Sequence, residues 1–119
     1  EKNSDTISAP IARKENSIIE RCVNFETGDI AITHYDLIKT IDNKYSLVHF
    51  VLETGRTHQI RVHSVYIGHP ILGDTLYGSS SNLINRQALH AQKVSFIHPI
   101  TKKSIILEAP LPEDMRIFF

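Results

Sequence analysis

The stretch YSLVHFVLETGRTHQIRVHSVYIGHP, residues 45–70, changes its hydrophobic period halfway along. From Tyr45 to Glu53 the pattern alternates, with Tyr45, Leu47, His49 and Val51 on one face and Ser46, Val48, Phe50 and Leu52 on the other. That is the period of a β-strand. After Gly55 the alternation stops. HQIRVHSVYIG (58–68) holds few helix breakers before Gly68 and Pro70, so the spacing predicts a helix there, capped by Thr57. Ile60, His63, Ser64 and Ile67 share one stripe of it, and Arg61, Val65 and Gly68 follow another. Apolar residues on both sides predict a helix packed over much of its surface.

Working outward, IAITHYDLIKTI (30–41) reads as a second strand, with Ile30, Ile32 and His34 opposite Ala31, Thr33 and Tyr35. Asp42 and Asn43 supply a turn, which makes a hairpin with 45–53 the natural arrangement. Further upstream, IIERCVNF (18–25) is a short strand ended by the ETGD turn. Residues 1–17 read as an irregular or extended lead-in, anchored by Ile7, Ile11 and Ile18. Downstream, GHPILGDTLYG (68–78) carries three glycines and a proline, an ordered loop with demanding backbone geometry. SSSNLINRQ (79–87) is a polar linker or short helix; ALHAQKVSFI (88–97) and SIILEAP (104–110) form a last hairpin around the HPITKKS turn. Pro112 opens a turn of helix in the tail. Neither an internal repeat nor a domain boundary is visible.

The chain has 119 residues, 41% of them hydrophobic, and 13 basic against 13 acidic side chains, for a formal net charge of zero. This is one domain by size, with enough apolar material for a core. A single cysteine, Cys22, excludes an intrachain disulfide and a cysteine-based zinc cluster. No run is long and apolar enough for a membrane span, and the polar start EKNSDTISAP lacks the core of a signal peptide. The expectation is a soluble cytoplasmic domain in a reducing compartment. Zero net charge argues against holding nucleic acid by bulk electrostatics, so such a role requires a local patch or further sequence.

Chemistry concentrates in ETGRTHQIRVH (53–63), where Glu53, Arg56, His58, Gln59, Arg61 and His63 lie at a strand-to-helix junction. Arginine forks suit phosphate or carboxylate, and free amides at a helix start add an anion contact. Arg56, in the loop, has the ordinary alternative of a solvated or capping side chain. Arg61 lies one turn into the helix, and a buried arginine there requires an acidic partner. His58 and His63 are five residues apart, not the i, i+4 pair of a zinc helix. His63 and His69 lack an evident third ligand, so no metal is expected, and His90 and His98 read as structural. The sequence has no GxGxxG, no P-loop and no GxSxG, and HYD (34–36) reads as structural. On residue chemistry alone, this is an arginine-bearing anion site of unstated purpose.

The same residues carry a resemblance. ETGRTHQIRVH followed by GHPILGDTLYG resembles the signature of the RluA-type pseudouridine synthases. DTISAPIARK before it, and ALHAQKVSFIHPITKK and LEAPLPEDM after it, resemble further landmarks of that family in the same order, so the match covers nearly the whole chain. The resemblance implies an α+β fold with a mixed, mainly antiparallel sheet and flanking helices. It implies isomerisation of uridine to pseudouridine in structured RNA, ribosomal more than transfer RNA, without a cofactor. In the family an aspartate attacks the nucleoside, the glycosidic bond breaks, and the base rotates and rejoins through carbon. The target base is first flipped from its stack, because its reactive atoms are out of reach in a duplex. Arg61 matches the family's active-site arginine, which pairs with that aspartate and orients it. Arg56, His58, Gln59, His63 and Gly55 lie in the same motif as RNA-binding or site-shaping residues; Gly68, Gly73 and Gly78 also read as shaping the site.

One departure matters. The aspartate belongs to an HRLD-type motif, and this sequence contains none. Asp36 follows Tyr35 in a different strand, and Asp74 belongs to GHPILGD. Residues 1–119 therefore read as the C-terminal portion of a catalytic domain, a fragment inactive alone whose partner is the missing N-terminal half, with a seam of unpaired strand edge where the two would meet. Two rivals stand beside this: a non-catalytic RNA-binding module of the same fold, and a small protein that uses its sheet edge to bind other proteins.

Overall fold

The computed structural model describes residues 4–15, 17, 19–41, 45–77, 86, 88–89, 93–97, 100, 104–108 and 112–116. Its centre is a three-stranded antiparallel sheet in the order β1-β4-β5, built from β1 (Ser4–Ser8), β4 (Ile32–Ile41) and β5 (Tyr45–Leu52). β2 (Ile11–Arg13) and β3 (Arg21–Val23) form a small ladder beside it. β6 (Lys93–Ile97) pairs with β7 (Ser104–Glu108), and α2 (Glu113–Arg116) follows. The single longer helix, α1 (Gln59–Tyr66), packs on β3 and β4. The class is α+β, and every described ladder is antiparallel. Among the described residues, no helix is long and apolar enough to cross a membrane.

The 30–53 hairpin forms as the alternation implies, from Thr33 opposite Leu52 to Ile41 opposite Tyr45, with Ile38 bulged out between the Leu37 and Lys39 pairings. The lead-in is extended but not irregular. Five of its residues pair with β4, from Ser4 opposite Asp36 to Ser8 opposite Ile32. Ile7 and Ile11 are buried as expected, whereas Ile18 lies outside the described residues. So do the 42–44 turn, most of 79–87, Gly78, His90 and His98.

Burial where the chain enters β4 falls on small residues. Ala31 and Thr33 face inward while Ile30 is exposed, because α1 lies close against that face and Ala31 packs with Val62 and Ile11. Val23 and Tyr77 close this cluster from the side. Gly28 is required at the neighbouring turn, since a Cβ there would stand 2.5 Å from the Asn24 carbonyl oxygen and 2.7 Å from the Pro10 carbonyl carbon.

One expectation for α1 holds and one is overturned. The helix is packed over much of its surface: Gln59, Val62, His63 and Ser64 are buried and Ile60 and Arg61 half-buried, while Val65 and Tyr66 at its end are exposed. Thr57, however, does not cap it. The N-cap is His58, in a left-handed conformation with φ 57° and without a side-chain capping bond. The loop before the helix is tied to its first residue by Gln59, whose Oε1 accepts from the Arg56 N–H at 2.9 Å and whose own N–H donates to the Arg56 carbonyl at 3.0 Å.

Candidate functional site

The β5–α1 junction is held by a chain of buried and half-buried hydrogen bonds. Gln59 uses both ends of its amide: Oε1 accepts from Thr54 Oγ1 at 2.8 Å as well as from Arg56, and Nε2 donates to the Ile32 carbonyl at 3.0 Å and to Thr33 Oγ1 at 2.9 Å. Thr33 in turn meets His63 Nδ1 at 2.8 Å, and His63 Nε2 meets the Ala9 carbonyl at 2.8 Å. A carbonyl only accepts, so His63 carries its proton on Nε2 and its Nδ1 accepts from the Thr33 hydroxyl. His63 is fully buried, and desolvation pushes its pKa below the usual histidine value against the upward pull of the Ala9 bond. Gln59 and His63 are thus joined into the framework, and neither side chain is presented to a ligand.

Arg61 projects into a different environment. Its Nε donates to Asp74 Oδ2 at 2.9 Å and its Nη2 to Asp74 Oδ1 at 2.8 Å. The Asp74 side chain is only 1% exposed, against 17% for Arg61. This bidentate bond and the carboxylate's charge raise the Arg61 pKa above its ordinary value despite partial burial. The acidic partner that a helical arginine requires is therefore Asp74, delivered by the 68–77 loop, in which Gly68 and Gly73 both adopt positive φ. The sequence held a signal for it: Asp74 is the sole acidic residue between Glu53 and Glu108.

The Tyr77 ring lies across the guanidinium, its centroid 5.0 Å from Arg61 Cζ. Its hydroxyl accepts from the Arg21 backbone N–H at 2.9 Å and shares a hydrogen with His58 Nδ1 at 2.8 Å. Burial first, then Arg61 and Arg21, push the His58 pKa down, with Asp74 opposing. A shallow hollow of about 200 Å³ adjoins this cluster, walled by Cys22, Val23, Val62, Val65 and Tyr66 and sharing Tyr77.

The remaining candidates divide. Arg56 is exposed and its Nε donates to the Ile30 carbonyl at 2.7 Å, which sets its stem at the rim of the junction. Gly55 faces open space at an ordinary φ, so the structure places no steric demand on it. His34 joins Thr6 Oγ1 at 2.7 Å and the Glu53 carboxylate across the sheet. Neither Asp74 nor Tyr77 was expected at Arg61, and nothing in the spacing of Tyr77 shows that the loop returns its ring to the guanidinium.

A family model described as RNA pseudouridylate synthase matches residues 1–65. The chain is 53% identical over 110 residues to the uncharacterized RNA pseudouridine synthase YjbO of Bacillus subtilis, covering 92% of this chain and 38% of that protein. It is 50% identical over 112 residues to the uncharacterized RNA pseudouridine synthase YhcT of the same organism, covering 93% and 37%. Against ribosomal large subunit pseudouridine synthase D of Zymomonas mobilis the identity is 43% over 123 residues, covering 95% and 38%. The chain thus spans less than two-fifths of the length of these relatives. Its sequence and its α+β architecture agree: the chain belongs to the RNA pseudouridylate synthase family, in the RluA-type branch.

Proposed function

We propose that this chain supplies the arginine side of a pseudouridine synthase active site, acting on uridine in ribosomal RNA in the cytoplasm. The observation that carries the reading is the state of Arg61. Asp74 takes two of the guanidinium's five N–H hydrogens and leaves three for another acceptor. Asp74 itself is closed off from a nucleoside by burial, so it is not the nucleophile.

The attacking carboxylate then comes from an HRLD-type motif outside these 119 residues. Beside a fixed arginine such a carboxylate is held ionised, and its oxygen is aimed by paired hydrogen bonds. A flipped uridine enters next to it, the carboxylate attacks as the N1–C1′ glycosidic bond breaks, and the base turns so that C5 bonds to C1′, releasing the carboxylate, while the C5 hydrogen leaves to water and N1 takes up a proton. Arg56 and His58, at the rim, meet the RNA backbone, while Gln59 and His63 keep the junction in shape. The name of the Zymomonas mobilis relative supports a ribosomal substrate.

Tritium release from RNA labelled at uridine C5 tests this. The chain alone releases none. Joined to a segment bearing an HRLD-type motif, it releases tritium from large-subunit ribosomal RNA in preference to transfer RNA. Release by the 119 residues alone, above a no-protein control, would place the nucleophile within them and overturn the reading.

A further inference from the structure

The Arg61 guanidinium is gripped by two groups that the proposed chemistry does not consume. Asp74 holds its Nε/Nη2 edge through both carboxylate oxygens. Tyr77 lies against its face. Each of these is itself fixed. Asp74 stands in a loop segment held at Gly73 by a positive φ of 79° and by its own N–H donating to the Ile71 carbonyl at 3.1 Å. Tyr77 is tied through its hydroxyl to the Arg21 N–H and to His58 Nδ1, with the two rings edge to face at 5.6 Å between centroids.

His58 holds its ring there from a left-handed backbone position, φ 57°, which disfavours any residue with a Cβ. Glycine would relieve that strain, but it would leave the Tyr77 hydroxyl without its imidazole partner. The His58 ring is held toward its neutral form. Arg61 on α1, Arg21 on β3 and burial all disfavour its protonation, and Asp74 opposes them only weakly.

Arginine has a long stem with many rotamers, and a catalytic partner that had to capture one of them would lose rate to misplacement. Resting on the reading of Arg61 above, we infer that Asp74 and Tyr77 are positioning residues: they fix the guanidinium by edge and face, so that the catalytic carboxylate meets donors already set. Because Asp74 is buried, its influence on the reaction passes through Arg61.

The test compares Arg61→Gln, Asp74→Asn, the double variant and Tyr77→Phe in the full-length enzyme, measuring kcat and KM by tritium release and RNA affinity separately. Asp74→Asn is expected to lower kcat roughly 100-fold while KM and RNA affinity stay within about twofold. Added to Arg61→Gln, it should lower kcat by no more than about a further twofold, because the residue it acts through is gone. Tyr77→Phe keeps the ring but frees it from Arg21 and His58, for a smaller loss of about 10-fold. Full kcat in Asp74→Asn, or losses that multiply in the double variant, would overturn the inference. If Arg61→Gln itself keeps full kcat, the reading of Arg61 fails instead; if Arg61→Gln is inactive and Asp74→Asn is not, only the positioning inference fails. Should Asp74→Asn not fold, the nitrogen-15 spectrum of the wild type decides. A slowly exchanging Arg61 Nε–H with separate Nη signals supports a guanidinium fixed by edge and face, and averaged, fast-exchanging signals contradict it.

Discussion

Helix α1 presents two polar clusters that differ in how much hydrogen-bonding capacity they leave over. On its buried side, Gln59 makes four side-chain bonds, Thr33 both donates and accepts, and His63 has a partner at each ring nitrogen. On the other side, Arg61 retains three N–H hydrogens beyond its pair with Asp74, and among the described residues His58 Nε2 takes no hydrogen bond. Both clusters come from the same eleven-residue motif. Saturated polar groups in a dry interior specify a geometry. Groups that are fixed yet only partly used are the ones able to meet a substrate.

Breaking the saturated cluster should affect stability before chemistry. Gln59→Leu takes the acceptor from the Arg56 N–H and from the Thr54 hydroxyl hydrogen, removes one of the two donors to the Ile32 carbonyl, and is expected to destabilise the fold by about 2 kcal/mol. A urea titration reads this as a lowered midpoint with an unchanged slope. A change under about 0.5 kcal/mol would mean that the network is replaceable.

The protonation state of His63 offers a gentler perturbation. Its folded pKa lies below the usual 6.5, so the unfolded chain takes up the proton first. The neutral ring's contribution is therefore complete above about pH 6.5 and is lost as pH falls through the folded value. Urea midpoints at pH 7.5, 6.5 and 5.5 should fall in that order, and the gap between wild type and His63→Gln should shrink on acidification. A gap that widens at low pH would contradict the neutral assignment. The smallest effect belongs to Gly55→Ala, expected within about 0.5 kcal/mol because a Cβ there meets open space. A large loss of RNA affinity in that variant with stability intact would instead show that RNA comes close at this point.

The sequence made the local features legible and the remote ones opaque. Alternation over 45–53 and the breakers at Gly68 and Pro70 located β5 and the end of α1, since both signals are contained in the segments they describe. β1 was hidden because its partner β4 lies 28 residues away, and SDTIS alone has little reason to be a strand. The roles of Gln59 and His63 were equally hidden. A polar side chain looks like a ligand-binding group until its partners Thr33 and Ala9, from other strands, are brought to it. Thr57 had the right chemistry for a cap, yet the N-cap position falls to His58, in a left-handed conformation and without a side-chain capping bond. Arg61 was legible from its position in the helix, but its observed partner was not: the family resemblance pointed to the acid of an HRLD-type motif, and Asp74 meets the guanidinium only because the 68–77 loop returns it to α1.

The central claim is that Arg61 serves the chemical step and does not merely grip RNA. Its most direct test is Arg61→Ala in the full-length enzyme, with single-turnover tritium release at saturating RNA measured beside RNA affinity. The rate should fall roughly 100-fold or more while the affinity changes by no more than about threefold. A rate at saturating RNA close to that of the wild type, with affinity reduced in step with overall activity, would contradict it.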